Sequence, residues 1–364
     1  MSKRYIYMML ILNMLTNIVA YVPKMLLEQR TNGSILAIVL SVPIGMVLIH
    51  LYTKYLSEFP YMGLPEILKK YTPKWFRFIF LLTQGILWFI AGLITLLAFT
   101  SITKQFINPD MHELSILSAF LFLIFLASMM ESRKVLYATE FILLLNLPLI
   151  AFVIYKSYTS EYIMWDSVSV ALTYFREIPD VLTLSTALFV YSGYANLAIF
   201  NRYFKDVKLK YLWVVGALGF FTLFTTYVIP IGLHGFDGVA SFTYPWIATS
   251  DSIRIELWII ERVSILFLGL YINISLASVI LHWHVGLEQI KSVVPKIKFN
   301  KKNIMPFLIV AIFSLIAILF QLFVKEIYVS NLAKVWLLLL LPAQGIGLLL
   351  LKWILKRKRK EDNV

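Results

Sequence analysis

An all-helical integral membrane protein is the fold class this sequence predicts. Three observations predict it: 60% of the 364 residues are hydrophobic, they gather in blocks long enough to cross a bilayer, and the charges fall between the blocks. Ordinary globular chains are roughly 45–50% apolar, and a mean hydropathy of +0.80 leaves too little polar surface to cover a soluble core. A helix rises about 1.5 Å per residue, so about 20 apolar residues match a hydrocarbon layer about 30 Å thick.

The blocks lie at 5–27, 34–54, 74–107, 113–130, 137–157, 179–201, 211–232, 253–290, 304–323 and 333–355. Ten transmembrane helices are therefore expected, because only helices or closed barrels satisfy backbone groups in lipid. Pro73, Pro179 and Pro306 stand at span starts, where a missing N–H costs little. Lys3-Arg4 followed by Tyr5–Ala20 looks like a leader, but the apolar run continues past Ala20 without a small-x-small cleavage site, so it is read as the first span.

Basic residues fix the expected orientation. Of 33 Lys and Arg, 24 fall at the two ends and in the segments near 54–77, 131–136, 202–210 and 291–302; the opposite set carries 8, and Arg262 lies inside a block. Basic loops stay cytoplasmic, so both termini are expected there, with the tail 356–364 anchored near anionic membrane lipid. A net charge of +13 spread in this way argues against nucleic acid as a partner. The absence of cysteine excludes disulfides, thiolate catalysis and cysteine-held metal. His282 and His284 are two apart and diverge on a helix, so no metal is expected, and no cofactor. No nucleotide-binding loop, dinucleotide glycine pattern or nucleophile elbow is present, so an enzyme is not expected.

Spans three and eight read as 34 and 38 residues, each third in a set of five. This suggests a five-plus-five repeat, 1–157 and 178–355, in one membrane domain; an odd number of spans per half makes such a repeat inverted. The connections 158–178 and 233–252 are rich in aromatics and are expected to form short interfacial helices.

Span one carries Thr16 and Asn17 ahead of Pro23, which removes a backbone bond. Span six reads Tyr191-Ser192-Gly193-Tyr194-Ala195-Asn196. Helices broken at mid-depth there would aim partial charges at a bound zwitterion; a plain proline kink in span one and small-residue packing through Gly193 in span six are the alternatives. In span eight, Glu261 and Arg262 suggest an outer gate or ion pathway, or else a structural ion pair. Below them Ser275, Ser278 and His282 share one helix face, the expected cavity lining.

These features, taken in order, resemble a known family. Met14-Leu15 leads to Pro23; the Gly193 region runs into Asn201-Arg202-Tyr203-Phe204-Lys205-Asp206; Thr243-Tyr244-Pro245-Trp246 and then Glu261-Arg262 follow. The chain resembles the B subunit of bacterial spore germinant receptors, a permease-like branch of the amino acid–polyamine–organocation transporter superfamily. The resemblance implies a LeuT-like fold with broken helices one and six. It implies a small germinant, an amino acid foremost, with A and C subunits as partners in the spore inner membrane. Carried over by position, the site comprises Thr16, Asn17 and Ile18 of span one, Gly92 and Thr95 of span three, Tyr191, Ser192 and Gly193 of span six, and Ser278 and His282 of span eight. The chain departs from many relatives in lacking an acidic residue after Gly193, a second Glu after Arg262 and a lysine in mid-span eight. A proton-coupled amino acid or amine transporter is the alternative function.

Overall fold

The computed structural model describes residues 1–16, 21–107, 109–257, 260–299 and 302–362. Among the described residues, seven helices are long and apolar enough to cross a membrane, or up to nine if two bent pairs each count as one crossing. The first bent pair is α1 (Arg4–Thr16) and α2 (Tyr21–Glu28), whose axes differ by 56°. Next come α3 (Ser34–Leu56), a short α4 (Leu64–Tyr71), the 33-residue α5 (Lys74–Phe106), α6 (Glu113–Ser128) and α7 (Ser132–Tyr158). At 16 residues, α6 is an apolar helix shorter than the other crossings.

The second bent pair begins with α9 (Val181–Phe189). The chain then tightens into a 3-10 turn over Ser192–Asn196, continues through α10 (Leu197–Phe200) and ends in a second 3-10 turn, with a 66° bend between the two halves. There follow α11 (Leu212–His234), α13 (Val263–Lys291), α14 (Met305–Phe323) and the 37-residue α15 (Glu326–Asp362). The aromatic connections form short helices as expected, α8 (Trp165–Thr173) and α12 (Pro245–Ser252).

One sequence expectation is overturned. The eighth block does not begin a helix at 253. The chain forms a small antiparallel ribbon, β1 (Arg254–Leu257) with β2 (Ile260–Arg262), and turns helical only at Val263. Glu261 and Arg262 therefore precede α13 instead of lying two turns inside it. With 29 residues α13 is shorter than α15, so extreme length in spans three and eight is no evidence for a repeat. Hydropathy misled here because Ile253, Ile255, Leu257, Ile259 and Ile260 suit a half-buried strand as well as a helix. A second two-residue ribbon, β3 (Lys298–Phe299) with β4 (Lys302–Asn303), sits in the basic loop before α14.

At the centre, α5 and α13 run side by side. A Cβ on Gly85 would lie 3.1 Å from the Gly286 carbonyl oxygen, and one on Gly286 would lie 2.9 Å from that of Gly85, so the two backbones approach where neither has a side chain. Seven residues along α5, a Cβ on Gly92 would lie 2.4 Å from the Trp283 indole. Gly92 is thus the seat for a large ring, and Trp283 packs onward, tilted against Phe89 and edge-on to Phe313.

Polar contacts tie the elements together at both ends of the bundle. At the end carrying both termini, the α-amino group of Met1 donates to the Tyr203 carbonyl, and Lys3 pairs with Asp206 at 2.6 Å. Arg202 grips Glu66 through two nitrogens (3.0 and 2.8 Å) and Glu288 through a third (2.7 Å), which fastens the end of span six to α4 and α13. Asn201 donates to the carbonyls of Phe59 and Met62, and Lys358 to that of Glu58. At the opposite end, Lys334 pairs with Glu28, Lys104 with Glu113, and Tyr244 donates to Glu326.

Removing one partner of a partly buried ion pair strands the other charge. Arg202→Met is expected to cost about 3 kcal/mol, read as a lower thermal unfolding temperature of the purified protein in nanodiscs, and Arg202→Met with Glu288→Gln is expected to recover part of that loss. An unchanged melting curve for the single variant would refute the role of this latch. Burial by itself raises the Asp206 carboxyl, but hydrogen bonds from Lys3 and the Lys208 amide more than reverse this and hold it down to about 2. A carboxylate with a depressed folded pKa contributes stability that is complete above its unfolded pKa of about 3.9 and lost only as pH falls through the folded value. Lys3→Gln should therefore cost the same, roughly 0.5 kcal/mol for so exposed a pair, at pH 5 and at pH 8; a cost that vanishes by pH 5 contradicts the assignment.

Candidate functional site

A cavity of about 50 Å³ lies where the two bent pairs meet the central helices. Its walls come from Asn13 and Thr16 (α1), Tyr21 and Val22 (α2), Ala91, Ile94 and Thr95 (α5), Phe189 (α9), Tyr271, Ser278 and His282 (α13), and Ala333, Trp336 and Leu337 (α15). None of these residues is acidic or is a lysine or arginine, so the described lining offers hydrogen bonds and apolar contact but no fixed charge. Space of this size holds several waters or one small organic molecule.

Asn13 sits at the break in span six. Its side-chain amide donates to the carbonyls of Phe189 (2.8 Å) and Val190 (3.2 Å) and lies 3.3 Å from the Ser192 hydroxyl. A helix end leaves carbonyls without intrahelical donors, and a buried unsatisfied carbonyl costs about 1–3 kcal/mol. Asn13 meets that need across two spans. A Cβ on Gly193 would lie 2.9 Å from both the Met9 carbonyl oxygen and the Asn13 Cβ, so Gly193 lets the broken segment rest directly on α1.

The other polar groups divide by whether they are already satisfied. Thr16 and Thr95 donate to carbonyls one turn back in their own helices, Leu12 at 2.8 Å and Ala91 at 3.0 Å. Trp336 donates to the Leu87 carbonyl. His282 Nδ1 lies 2.7 Å from the Ser278 carbonyl oxygen, which can only accept, so the neutral ring carries its proton on Nδ1 and leaves Nε2 as an acceptor. The Tyr21 and Tyr271 hydroxyls, and that of Ser275 one turn beyond Tyr271, are buried and find no hydrogen-bond partner among the described residues. Buried hydroxyls in that condition ordinarily meet water or ligand.

Of the residues expected from sequence, Thr16, Thr95, Ser278 and His282 come together on the cavity wall. Gly92 and Gly193 lie behind it, holding Trp283 and α1 respectively. Tyr191 points away: its ring lies between Gly45 and Gly219, each of which would place a Cβ within 2.5 Å of it, and its hydroxyl donates to the Gly216 carbonyl. Ser192 is buried beside Asn13 and donates to the Phe189 carbonyl at 2.7 Å. Asn17 and Ile18 fall outside the described residues. Glu261 and Arg262 stand on β2, and nothing is described of their side chains. His282 and His284 take different roles: His284 bonds the Ser128 carbonyl and the Ser132 hydroxyl, away from the cavity.

Sequence reading missed Asn13, Tyr21, Phe189 and Trp336. Asn13 was detectable as a polar residue in an apolar span, one turn before Thr16 and Asn17. The aromatics carried no signal, since rings at helical spacing serve equally well as core.

Asn13→Leu removes the donor and keeps the volume. It should cost about 2–3 kcal/mol in thermal unfolding and speed amide hydrogen exchange at residues 189–193 over wild type. Unchanged exchange there would show that Asn13 does not hold the break.

A search of curated proteins returns no match. A family model described as "Spore germination protein" matches residues 1–324, which takes in both bent pairs and every lining residue except the three on α15. The chain therefore belongs to the spore germination protein family, a permease-like family of membrane proteins rather than of enzymes.

Proposed function

We propose that this chain is the permease-like B subunit of a germinant receptor, that its cavity binds a small nutrient germinant, an amino acid foremost, and that occupancy signals to A and C partner subunits. The observation that carries this reading is the convergence of two bent helix pairs on one small cavity that, among the described residues, has no charged lining and retains unpartnered hydroxyls. A bend in mid-span exposes backbone dipoles that a small zwitterion can use without any fixed counter-charge. Asn13 takes the carbonyls at Phe189 and Val190. What remains for the ligand is the acceptor of His282, the Tyr21, Tyr271 and Ser278 hydroxyls, and apolar contact with Val22, Ala91 and Ile94.

Counting each bent pair as one crossing, and α6 as another, gives ten. With the basic segments cytoplasmic, both termini face the cytoplasm, and the inverted five-plus-five arrangement of LeuT-like proteins accounts for bent first and sixth crossings. The spore inner membrane is the corresponding location. Polar contacts at both ends of the bundle fit a receptor resting in a closed state. A ligand shifts such an equilibrium only if it binds the two states with different affinity.

Ala333→Phe fills the cavity from α15 without touching either break. Spores carrying it should respond to their germinant with at least a tenfold loss of sensitivity, about 1.4 kcal/mol of binding, at wild-type protein abundance. Deletion spores screened against individual amino acids, sugars and nucleosides identify the germinant to use. Normal sensitivity in the Ala333→Phe spores would remove the cavity from the mechanism. Uptake of labelled amino acid by proteoliposomes of this chain alone would replace a receptor with a transporter.

A further inference from the structure

A second, much roomier cavity, about 380 Å³, opens at the end of the bundle away from the termini. It is lined by Tyr21, Leu97, Ser101, Glu113, Val329 and the turn from Phe320 to Glu326. Tyr21 lines both cavities and so forms the partition between them. It is only 6% exposed, and its hydroxyl has no hydrogen-bond partner among the described residues.

The polar groups around this vestibule are not equivalent. Glu113 is occupied: one oxygen takes the Lys104 ammonium at 2.9 Å and the other the Gln321 amide at 2.5 Å. That second bond fixes the Gln321 side chain, since the reverse orientation would set oxygen against carboxylate. Gln321 Oε1 is consequently a committed acceptor, buried and without a partner among the described residues. Glu326 accepts from the Tyr244 hydroxyl, a neutral donor, and makes no ion pair among the described residues. Beside it Lys325 lines the same space and makes no ion pair among the described residues. One wall thus presents a carboxylate, an idle amide oxygen and an ammonium, next to a buried hydroxyl.

We propose that the vestibule is a docking site for a free zwitterionic amino acid. Its ammonium group lies against Glu326 and Gln321 Oε1, its carboxylate against Lys325, and the Tyr21 hydroxyl meets whichever end faces the inner cavity. The proposal rests on the amino acid reading of that inner cavity and adds a prior station to it. Charge complementarity at an open site collects ligand from solution and raises the encounter rate. The uncharged inner cavity is too small to do so and discriminates by shape. Passage between the two requires Tyr21 to move, and Tyr21 heads α2, directly beyond the bend in span one.

The test uses the full-length protein in nanodiscs, titrated separately with each of the 20 standard L-amino acids. The tightest binder is then compared with its decarboxylated amine and its deaminated acid. Glu326→Gln keeps an acceptor for Tyr244 and removes the charge; Lys325→Gln does the same at the exposed lysine. Each is expected to weaken binding about tenfold at an unchanged melting temperature, and the amine and acid should each bind the wild type more weakly than the zwitterion. Raising salt from about 0.05 M to about 0.5 M should weaken wild-type binding, because these charges are open to solvent. Affinity within twofold of wild type in both vestibule variants, or indifference to salt, overturns the proposal. If those results coincide with loss of binding in Ala333→Phe, the inner cavity stands and only the vestibule falls. If no amino acid binds the wild type, both fall.

Discussion

The site depends on one side chain reaching from one broken helix into another. Span six cannot bend by 66° in an apolar interior without baring carbonyls, and lipid has nothing to give them. Asn13 supplies the donors from span one, while Gly193 lets that donor come close enough. The two breaks are therefore coupled: whatever moves α1 withdraws hydrogen bonds from span six. A bend in either span alone would be a local kink. Joined through Asn13 they form a hinge whose two halves share a cavity wall.

That coupling also reshapes the simplest picture of ligand binding at a helix break, in which bared peptide groups grip the ligand directly. At Phe189 and Val190 the carbonyls are already taken, so the break is stable with no ligand present and the cavity does not need one in order to fold. The groups near the cavity that lack partners among the described residues are side-chain hydroxyls, those of Tyr21, Tyr271 and Ser275. Hydroxyls rotate and can donate or accept, which suits the proposed role of binding both ends of a zwitterion at a wall whose described residues carry no fixed charge. Specificity then falls to apolar shape: Val22, Ala91, Ile94, Phe189 and Trp336 leave room for little beyond a small ligand.

Where the sequence could be read, the reading rested on patterns that the bilayer enforces. Block length and charge placement located eight of the ten apolar elements to within about five residues, with α15 running seven residues past its block at both ends, because hydrocarbon thickness and backbone satisfaction admit few alternatives. The eighth block failed at its beginning, since alternating isoleucines satisfy a ribbon and an apolar helix alike. Thr16, Ser278 and His282 were legible as polar residues in spans that have little use for them, and Thr95 followed from its position along the family's pattern. Tyr191 and Gly92 were assigned to the site by position along the family's pattern, yet each is consumed in packing, the tyrosine against Gly45 and Gly219 and the glycine against Trp283. Linear position cannot distinguish the face of a helix that lines a cavity from the face that packs behind it. Partners brought from 150 or more residues away, such as Phe189 to Asn13 or Gln344 to Tyr194, leave no local trace.

The fastenings at the two ends differ in kind, and the difference bears on which end yields first. The terminus-bearing end is held by Arg202 between two carboxylates, by Asn201 on three carbonyls and by backbone contacts from Met1 and Lys358, a network in which no single loss frees the rest. The opposite end rests on separate bridges, Glu28 to Lys334 and Lys104 to Glu113, whose side chains are 31–39% exposed, and on the tyrosine contact to Glu326. Exposed pairs contribute little and exchange readily with water, whereas a partly buried multidentate arginine does not. The end bearing the vestibule is thus the weaker closure, and α2, which carries both Tyr21 and Glu28, is the element whose displacement opens it. A ligand arriving from that side meets the weak closure first. The strong closure lies beyond the cavity, attached to the same pair of broken helices that Asn13 joins, which makes Asn13 and span six the shortest bonded link between the bend and that closure.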